Sequence, residues 1–274
     1  MVDTGLGLPD ARERWRAVLQ RRALQVARIV VTHFHPDHVG AAAPLAELTN
    51  APVFQGGVDY AQCARAWSGE DATARLVAYM RAHGLPTEDA EQLRSDGNLL
   101  LRLVNYARDP EPLEPGGEIA GWEVLHLPGH ADGHICLLRD GVLVAGDALL
   151  ATITPTVGLY PDARPDPLGD YFDSLRRIVE LAPVTAYAGH GDTIADPPRR
   201  AHELIEHHHE RLVRTREALS TEPRTAYEVS LTLFPEPLTP VLRRFALAES
   251  RAHLEYLVLH GEVIRDGPNR YAAG

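Results

Sequence analysis

The 274-residue chain contains no lysine: all 27 of its basic side chains are arginines. That absence excludes Schiff-base catalysis and any phosphate site anchored by a lysine ammonium. Cysteine is nearly as scarce. Cys63 and Cys136 are the only two, too few for a disulfide framework and suited to a reducing compartment. The opening MVDTGLGLPDARERWR lacks an apolar core behind a basic start, so it does not read as a secretory leader. The best apolar stretch, VLVAGDALLATITPTVGLY, is broken by Asp147 and two glycines and does not read as a membrane span. A cytoplasmic location is expected. An excess of positive charge is also missing. The net charge of −11 argues against a polyanionic partner, because phosphate binding depends on clustered cations that release counterions.

What is present is the composition of a folded protein, with 45% hydrophobic and 24% charged residues. The length exceeds the ~100–200 residues usual for one domain, so a main domain and a smaller one are expected. Residues 9–28 read as a helix with Trp15, Val18, Leu19 and Ala23 on one face. ARIVVTH follows as a short buried strand, GAAAPLAEL as a helix and APVFQG as a strand. From Asp59 to about Asn105 the pattern is mostly helical and interrupts two strand-rich regions, as an inserted lid would. Strands return in WEVLHLPGH and in HICLLRDGVLVAGD, a hairpin folded at Asp140 and Gly141, followed by the helix PLGDYFDSLRRIVEL and the strand VTAYAGHGD. This alternation predicts an α/β sandwich of sheets covered by helices.

Near Pro197 the composition shifts. A long helix begins at PPRRAHELIE, TAYE at 225–228 is a capping-box signature, a further helix runs from TPVLRRF to Gly261, and EVIRDGPNRYAA reads as a hairpin. Three helices and a terminal hairpin spell a winged-helix module. The expected division is a main domain over 1–198, with its helical insertion at about 59–105, and a winged-helix-like domain over 199–274.

The chemistry concentrates in VVTHFHPDHVG, where His33, His35, Asp37 and His38 crowd behind β-branched residues. His130, Asp147 and His190 each follow another predicted strand, and loops at one edge of a sheet can aim such groups at a common point. Neutral imidazoles and carboxylates suit borderline divalent ions, zinc above all. Seven groups exceed the needs of one tetrahedral ion. Two ions sharing a carboxylate and a hydroxide use them all.

THFHPDH, PGHADGH, the Gly-Asp pair at 146–147 and GHGD at 189–192 resemble, in order, the successive motifs of the metallo-β-lactamase-fold hydrolases over roughly the first 200 residues. The resemblance implies an αββα sandwich in which His33, His35 and His130 hold one metal, Asp37, His38 and His190 hold the other, and Asp147 bridges them. It implies two zinc ions, with iron or manganese as alternatives, and hydrolysis by a metal-bridging hydroxide that Asp37, the catalytic residue, orients and relieves of its proton. Asp3 and Thr32 occupy supporting positions in that family, and Gly129 and Gly133 would allow tight turns beside His130. The C-terminal segment is similar to the winged-helix extension of a subgroup that includes hydrolases and an endoribonuclease. Family members begin with tens of residues of strand before the DTG turn, whereas here Met1 and Val2 directly precede it. The expectation is a first sheet with truncated N-terminal strands, an exposed edge and a weakly anchored Asp3.

Other candidates read more plainly. His134 is expected to support the site or to lie exposed, and His83 and His126 lack a partner motif. His207–His209 lie on a charged amphipathic helix and read as a solvated or packing face. Tyr160, Tyr171 and Trp67 read as core or lid packing. From Ala201 to Gly274 nine arginines face eleven acidic residues, a net of −2, so nucleic acid is disfavoured as a partner. Packing against the catalytic domain, or a homodimer, is the expected task of that segment. The function expected is hydrolysis of a small-molecule ester or thioester, in the manner of glyoxalase II-like and acyl-carrier thioesterase relatives. The alternatives are a metal-dependent ribonuclease or phosphodiesterase and a non-catalytic winged-helix nucleic-acid-binding protein.

Overall fold

Strands β1 (Ile29–Val31), β2 (Val53–Gly56) and β3 (Glu111–Leu113) form a parallel sheet in that order. The computed structural model to which they belong describes residues 1–274 except the Glu70 side chain. Parallel neighbours need crossover connections, and the helices supply them. The one-turn helix α2 (Pro36–Val39) and α3 (Ala42–Thr49) link β1 to β2. Helices α4 (Gly57–Trp67), α5 (Glu70–Ala82) and α6 (Thr87–Leu101) lie between β2 and β3. The helical segment expected as an insertion is thus the crossover of the first sheet. Its far strand, Glu-Pro-Leu, is too short and proline-interrupted to show a strand pattern in sequence.

The second sheet runs β4 (Glu118–Ile119), β5 (Trp122–His126), β6 (Ile135–Arg139), β7 (Val142–Gly146), β8 (Thr185–Ala188), antiparallel except for the final pair. Positive φ at both Asp140 (49°) and Gly141 (77°) makes the β6–β7 turn, the conformation that matches strand twist in tight hairpins.

Alternation along the strands sorts the core into layers. Val30 on β1 meets Val124, Ile135 and Leu137 of the second sheet, forming the seam between sheets. Its neighbours Ile29 and Val31 point the other way, to Val39, Ala42 and Leu45 beneath α3, with Trp15 of α1 (Ala11–Arg22) packed alongside. Leu125, Cys136, Leu143 and Ala145 face outward from the second sheet onto α7 (Pro167–Leu181). Two sheets with helices on both outer faces make the αββα sandwich. In α7, Pro167 starts the first turn, Asp166 accepts the Gly169 amide at 2.9 Å, and Leu168, Tyr171, Phe172, Leu175 and Ile178 are buried. Each such aliphatic or aromatic burial contributes about 1.5–3 kcal/mol.

Beyond β8, α8 (Pro197–Glu217), α9 (Ala226–Leu233) and α10 (Pro240–Leu259) accompany an antiparallel sheet of β10 (Val263–Asp266), β11 (Arg270–Ala273) and β9 (Arg224–Thr225), in the order β10-β11-β9. The capping box forms, with Thr225 accepting the Glu228 amide and Glu228 accepting the Thr225 amide. Helix α10 packs on α6, α7, α8 and α9. Its Leu247, Leu254 and Leu257 join Met80 and Leu93 of the crossover and Leu168 and Leu175 of α7 in one continuous apolar cluster. Cys63 and Cys136 are free and buried in different layers. No helix among the described residues is long and apolar enough to cross a membrane. On its outer side β1 meets the single bridge Val2–Val30.

Because that cluster is continuous, urea unfolding followed by tryptophan fluorescence and by far-ultraviolet circular dichroism is expected to give coincident transitions. The fluorescence reports Trp15, Trp67 and Trp122 in the first half of the chain, whereas the dichroism also reports α8 to α10. Two separated transitions would contradict the shared core.

Candidate metal centre

The site gathers at the common edge of the two sheets of the sandwich. Just beyond β1 the chain bends at Phe34 and His35, and His33 and His35, two residues apart, face one another. Pro36 then opens α2, whose single turn presents Asp37 and His38. From the second sheet come His130, in the loop after β5, Asp147, at the end of β7, and His190, after β8. A backbone bond from Gly189 to the Gly146 carbonyl (2.7 Å) ties the last two ends together.

All seven side chains expected at this centre are brought together. His35 Nδ1 lies 3.0 Å from His33 Nε2 and 2.9 Å from His130 Nε2. His38 Nε2 lies 3.2 Å from His190 Nε2, which is 3.1 Å from Asp37 Oδ2. Asp147 stands between the groups, its Oδ2 at 3.5 Å from His38, 3.7 Å from His130 and 3.4 Å from His190.

The partners on the far side of the rings set what faces inward. His38 Nδ1 meets Asp3 Oδ2 at 2.8 Å, and His130 Nδ1 meets the Thr156 carbonyl at 2.9 Å. Both partners only accept, so each Nδ1 holds a proton and each Nε2 is the ring atom turned inward. Thr32 donates its hydroxyl proton to Asp3 (2.9 Å), so its oxygen accepts from His33 Nδ1 at 3.0 Å and leaves the His33 Nε2 lone pair inward. Burial and the neighbouring imidazoles hold His33 and His35 well below the usual histidine range, and burial lowers His130 as well. The Nε2 atoms of His33 and His130 thus converge on His35 Nδ1. A tetrahedral zinc with bonds of about 2.0–2.1 Å places its nitrogen ligands about 3.3 Å apart.

Two further observations match a cation site. The buried Asp147 Oδ1 has no hydrogen-bond partner. His38 is pushed up to about 10, since the pull of Asp147 and Asp3 outweighs a burial effect in the opposite direction. These carboxylates call for positive charge, which a divalent ion supplies. The neutral imidazoles and anionic oxygens therefore fit metal ions in donor type, spacing and charge.

Asp3 is firmly held, contrary to the expected weak anchoring. Its amide donates to the Val30 carbonyl (2.8 Å), its Oδ1 accepts the Thr32 amide (2.8 Å), and its φ of 56° is one that aspartate tolerates. The single Val2 bridge supplies the strand register that this requires.

Two supporting roles were hidden in the sequence. The peptide between His33 and His35 is clamped from α4: buried Asp59 accepts the Phe34 amide (2.8 Å) and Trp67 Nε1 donates to the Phe34 carbonyl (2.7 Å). Both partners lie more than twenty residues away, with no motif to mark them. His134 is fully buried, stacked on His33, and its Nε2 accepts the Asp147 amide at 3.1 Å. Gly129 has φ 130° and lies so close to α7 that a Cβ would overlap Tyr171, and a Cβ on Gly133 would overlap the Asp59 backbone. His126 holds the Asp132 carbonyl (2.7 Å), and buried His83 packs on Tyr79, away from the seven. In the His207–His209 run, His208 packs between Tyr171 and His253.

Comparison with known proteins agrees with this geometry. Residues 1–190 match the family model described as the metallo-beta-lactamase superfamily, and residues 212–272 match one described as metallo-beta-lactamase-like, C-terminal domain. A probable metallo-hydrolase of Bacillus subtilis (strain 168) is 27% identical over 94% of this chain and 83% of its own length. A hydroxyacylglutathione hydrolase of Alkalilimnicola ehrlichii is 25% identical over 96% of this chain and 80% of its own. The crystal structure of a metallo-beta-lactamase family protein from Thermus thermophilus is 41% identical, with a TM-score of 0.86 over 100% of this chain and 89% of that one. Sandwich, convergent ligand cluster and family match together place this chain in the metallo-beta-lactamase superfamily.

Proposed function

We propose that the protein hydrolyses small esters or thioesters with two divalent cations, zinc ahead of iron or manganese. His33, His35 and His130 would hold one ion, Asp37, His38 and His190 the other, with Asp147 between them. The observation that carries this reading is the pair of trios, each with donor atoms within 4.8 Å of one another, joined by a carboxylate close to both. Ions bound there supply Lewis acidity and lower the pKa of water from roughly 15.7 to about 7.

The chain's own residues do the rest. Asp3, Thr32 and the Thr156 carbonyl hold the rings with Nε2 inward, so little reorientation of the rings is needed when the site loads. The Asp37 side chain is 43% exposed and directs Oδ2 at His190, leaving Oδ1 to accept a proton from attacking water and pass it to the departing thiolate or alkoxide. The relative named hydroxyacylglutathione hydrolase supports the thioester class, and the net charge of −11 argues against a polyanionic substrate. We read residues 1–198 as the catalytic domain and 199–274 as a winged-helix-like domain that braces it through α10.

Protein purified without added metal is expected to contain two ions per chain by elemental analysis. It should release thiol from small thioesters, lose that activity on chelation and regain it with zinc. Asp37→Ala is expected to lower kcat by roughly 10²–10⁴. RNA cleavage abolished by Asp37→Ala, with no thioester turnover, would overturn the substrate class. Asp3→Ala, which frees the rings of His38 and Thr32-linked His33, is expected to weaken zinc binding by about 10–100-fold in a chelator-competition titration. Unchanged affinity would remove Asp3 from the account.

A further inference from the structure

We propose that Arg244, near the start of α10, forms an anion subsite beside the metal centre and selects thioesters that carry a carboxylate or phosphate. The inference rests on the thioesterase reading and extends it to the substrate's charge.

The loop after Asp147 connects the two places. Thr156 accepts from His130 Nδ1, and three residues later the Leu159 amide donates to the Ala248 carbonyl on α10 at 3.0 Å. The loop lies tight against the helix: a Cβ at Gly158 would stand 2.9 Å from Ala248 Cβ and 2.8 Å from the Tyr160 ring. Arg244 is one helical turn before Ala248 and so shares its face. Burial pushes the Tyr160 hydroxyl up, and the nearby Arg244 charge works against that rise.

The neighbouring arginines are engaged. Arg243 donates to the carbonyls of Ser230, Phe234 and Glu236. Arg251 covers the Tyr79 ring and lies 3.8 Å from Glu255, and Arg211 pairs with Glu249 at 3.2 Å. Arg244 stacks over the Phe245 ring at 4.3 Å but has no hydrogen bond or carboxylate partner among the described residues, and its Nε is buried without one. A buried N–H left unpaired carries a desolvation cost that a ligand oxygen removes. The planar guanidinium offers two parallel donors matched to a carboxylate or phosphate. In a chain of net charge −11, an unpaired cation at this place gives an anionic substrate group its point of attraction.

The test uses matched thioesters on the metal-loaded protein. One pair ends its acyl chain in a carboxylate or in the methyl ester, and the other carries phosphopantetheine or pantetheine as the thiol, so the arms separate the two sources of charge. In Arg244→Ala the ratio of kcat/KM for anionic over neutral substrate is expected to fall about ten-fold or more in one arm, chiefly through KM. Arg244→Lys should recover part of it, and Arg214→Ala, which removes an exposed charge on α8, should leave the ratio as it is. An unchanged ratio in both arms overturns the proposal. Calorimetry with non-hydrolysable thioether analogues separates this from the activity reading. If no thioester is turned over, the hydrolase reading fails, yet selective loss of the anionic analogue in Arg244→Ala sustains the subsite, and equal affinities end it.

Discussion

Imidazole nitrogens and carboxylate oxygens face one another across about 3 Å at the edge of this sandwich, and the rest of the architecture serves to hold them there. Left alone, such an assembly is a concentration of lone pairs in a poorly solvated place, which costs free energy unless a cation balances it. The backbone pairing of Asp3 with Val30, the Phe34 clamp from α4 and the Gly189–Gly146 bond oppose its dispersal. Asp3 is central to this, since one carboxylate fixes His38 directly and His33 through Thr32.

The fold explains how distant segments reach one point. Both sheets end at the same edge, and strand ends at a shared edge are where loops can aim side chains without disturbing the ladder beneath. Tyr171, packed under Gly129 and donating to the Ala148 carbonyl at 3.1 Å, supports the His130 and Asp147 loops together. The helices between β2 and β3 then have two tasks. They complete a parallel crossover, and their first member pins the peptide between two of the histidines.

Much of this was legible in the sequence because the ligating groups sit in short motifs that follow recognisable strands. The seven residues, the β6–β7 turn at Asp140-Gly141, helix α7 and the Thr225–Glu228 capping box all have local signatures, so a single chain segment discloses each of them. What stayed hidden depends on long-range contact. Asp59 and Trp67 act through the backbone of Phe34, and Thr156 acts through its own carbonyl, which any residue type could supply. The helical segment reads as an insertion because β3 is three residues long and contains Pro112. The anchoring of Asp3 is firmer than the sequence suggests because one bridge at Val2 does the work expected of a longer strand.

Anomalous diffraction at the zinc absorption edge, from crystals of protein loaded with zinc, tests the central claim most directly. Two peaks about 3.5–4 Å apart, one among His33, His35 and His130 and the other among Asp37, His38 and His190, with Asp147 in reach of both, are the expected result. A zinc-loaded crystal with a single peak, or with peaks elsewhere, would contradict the account.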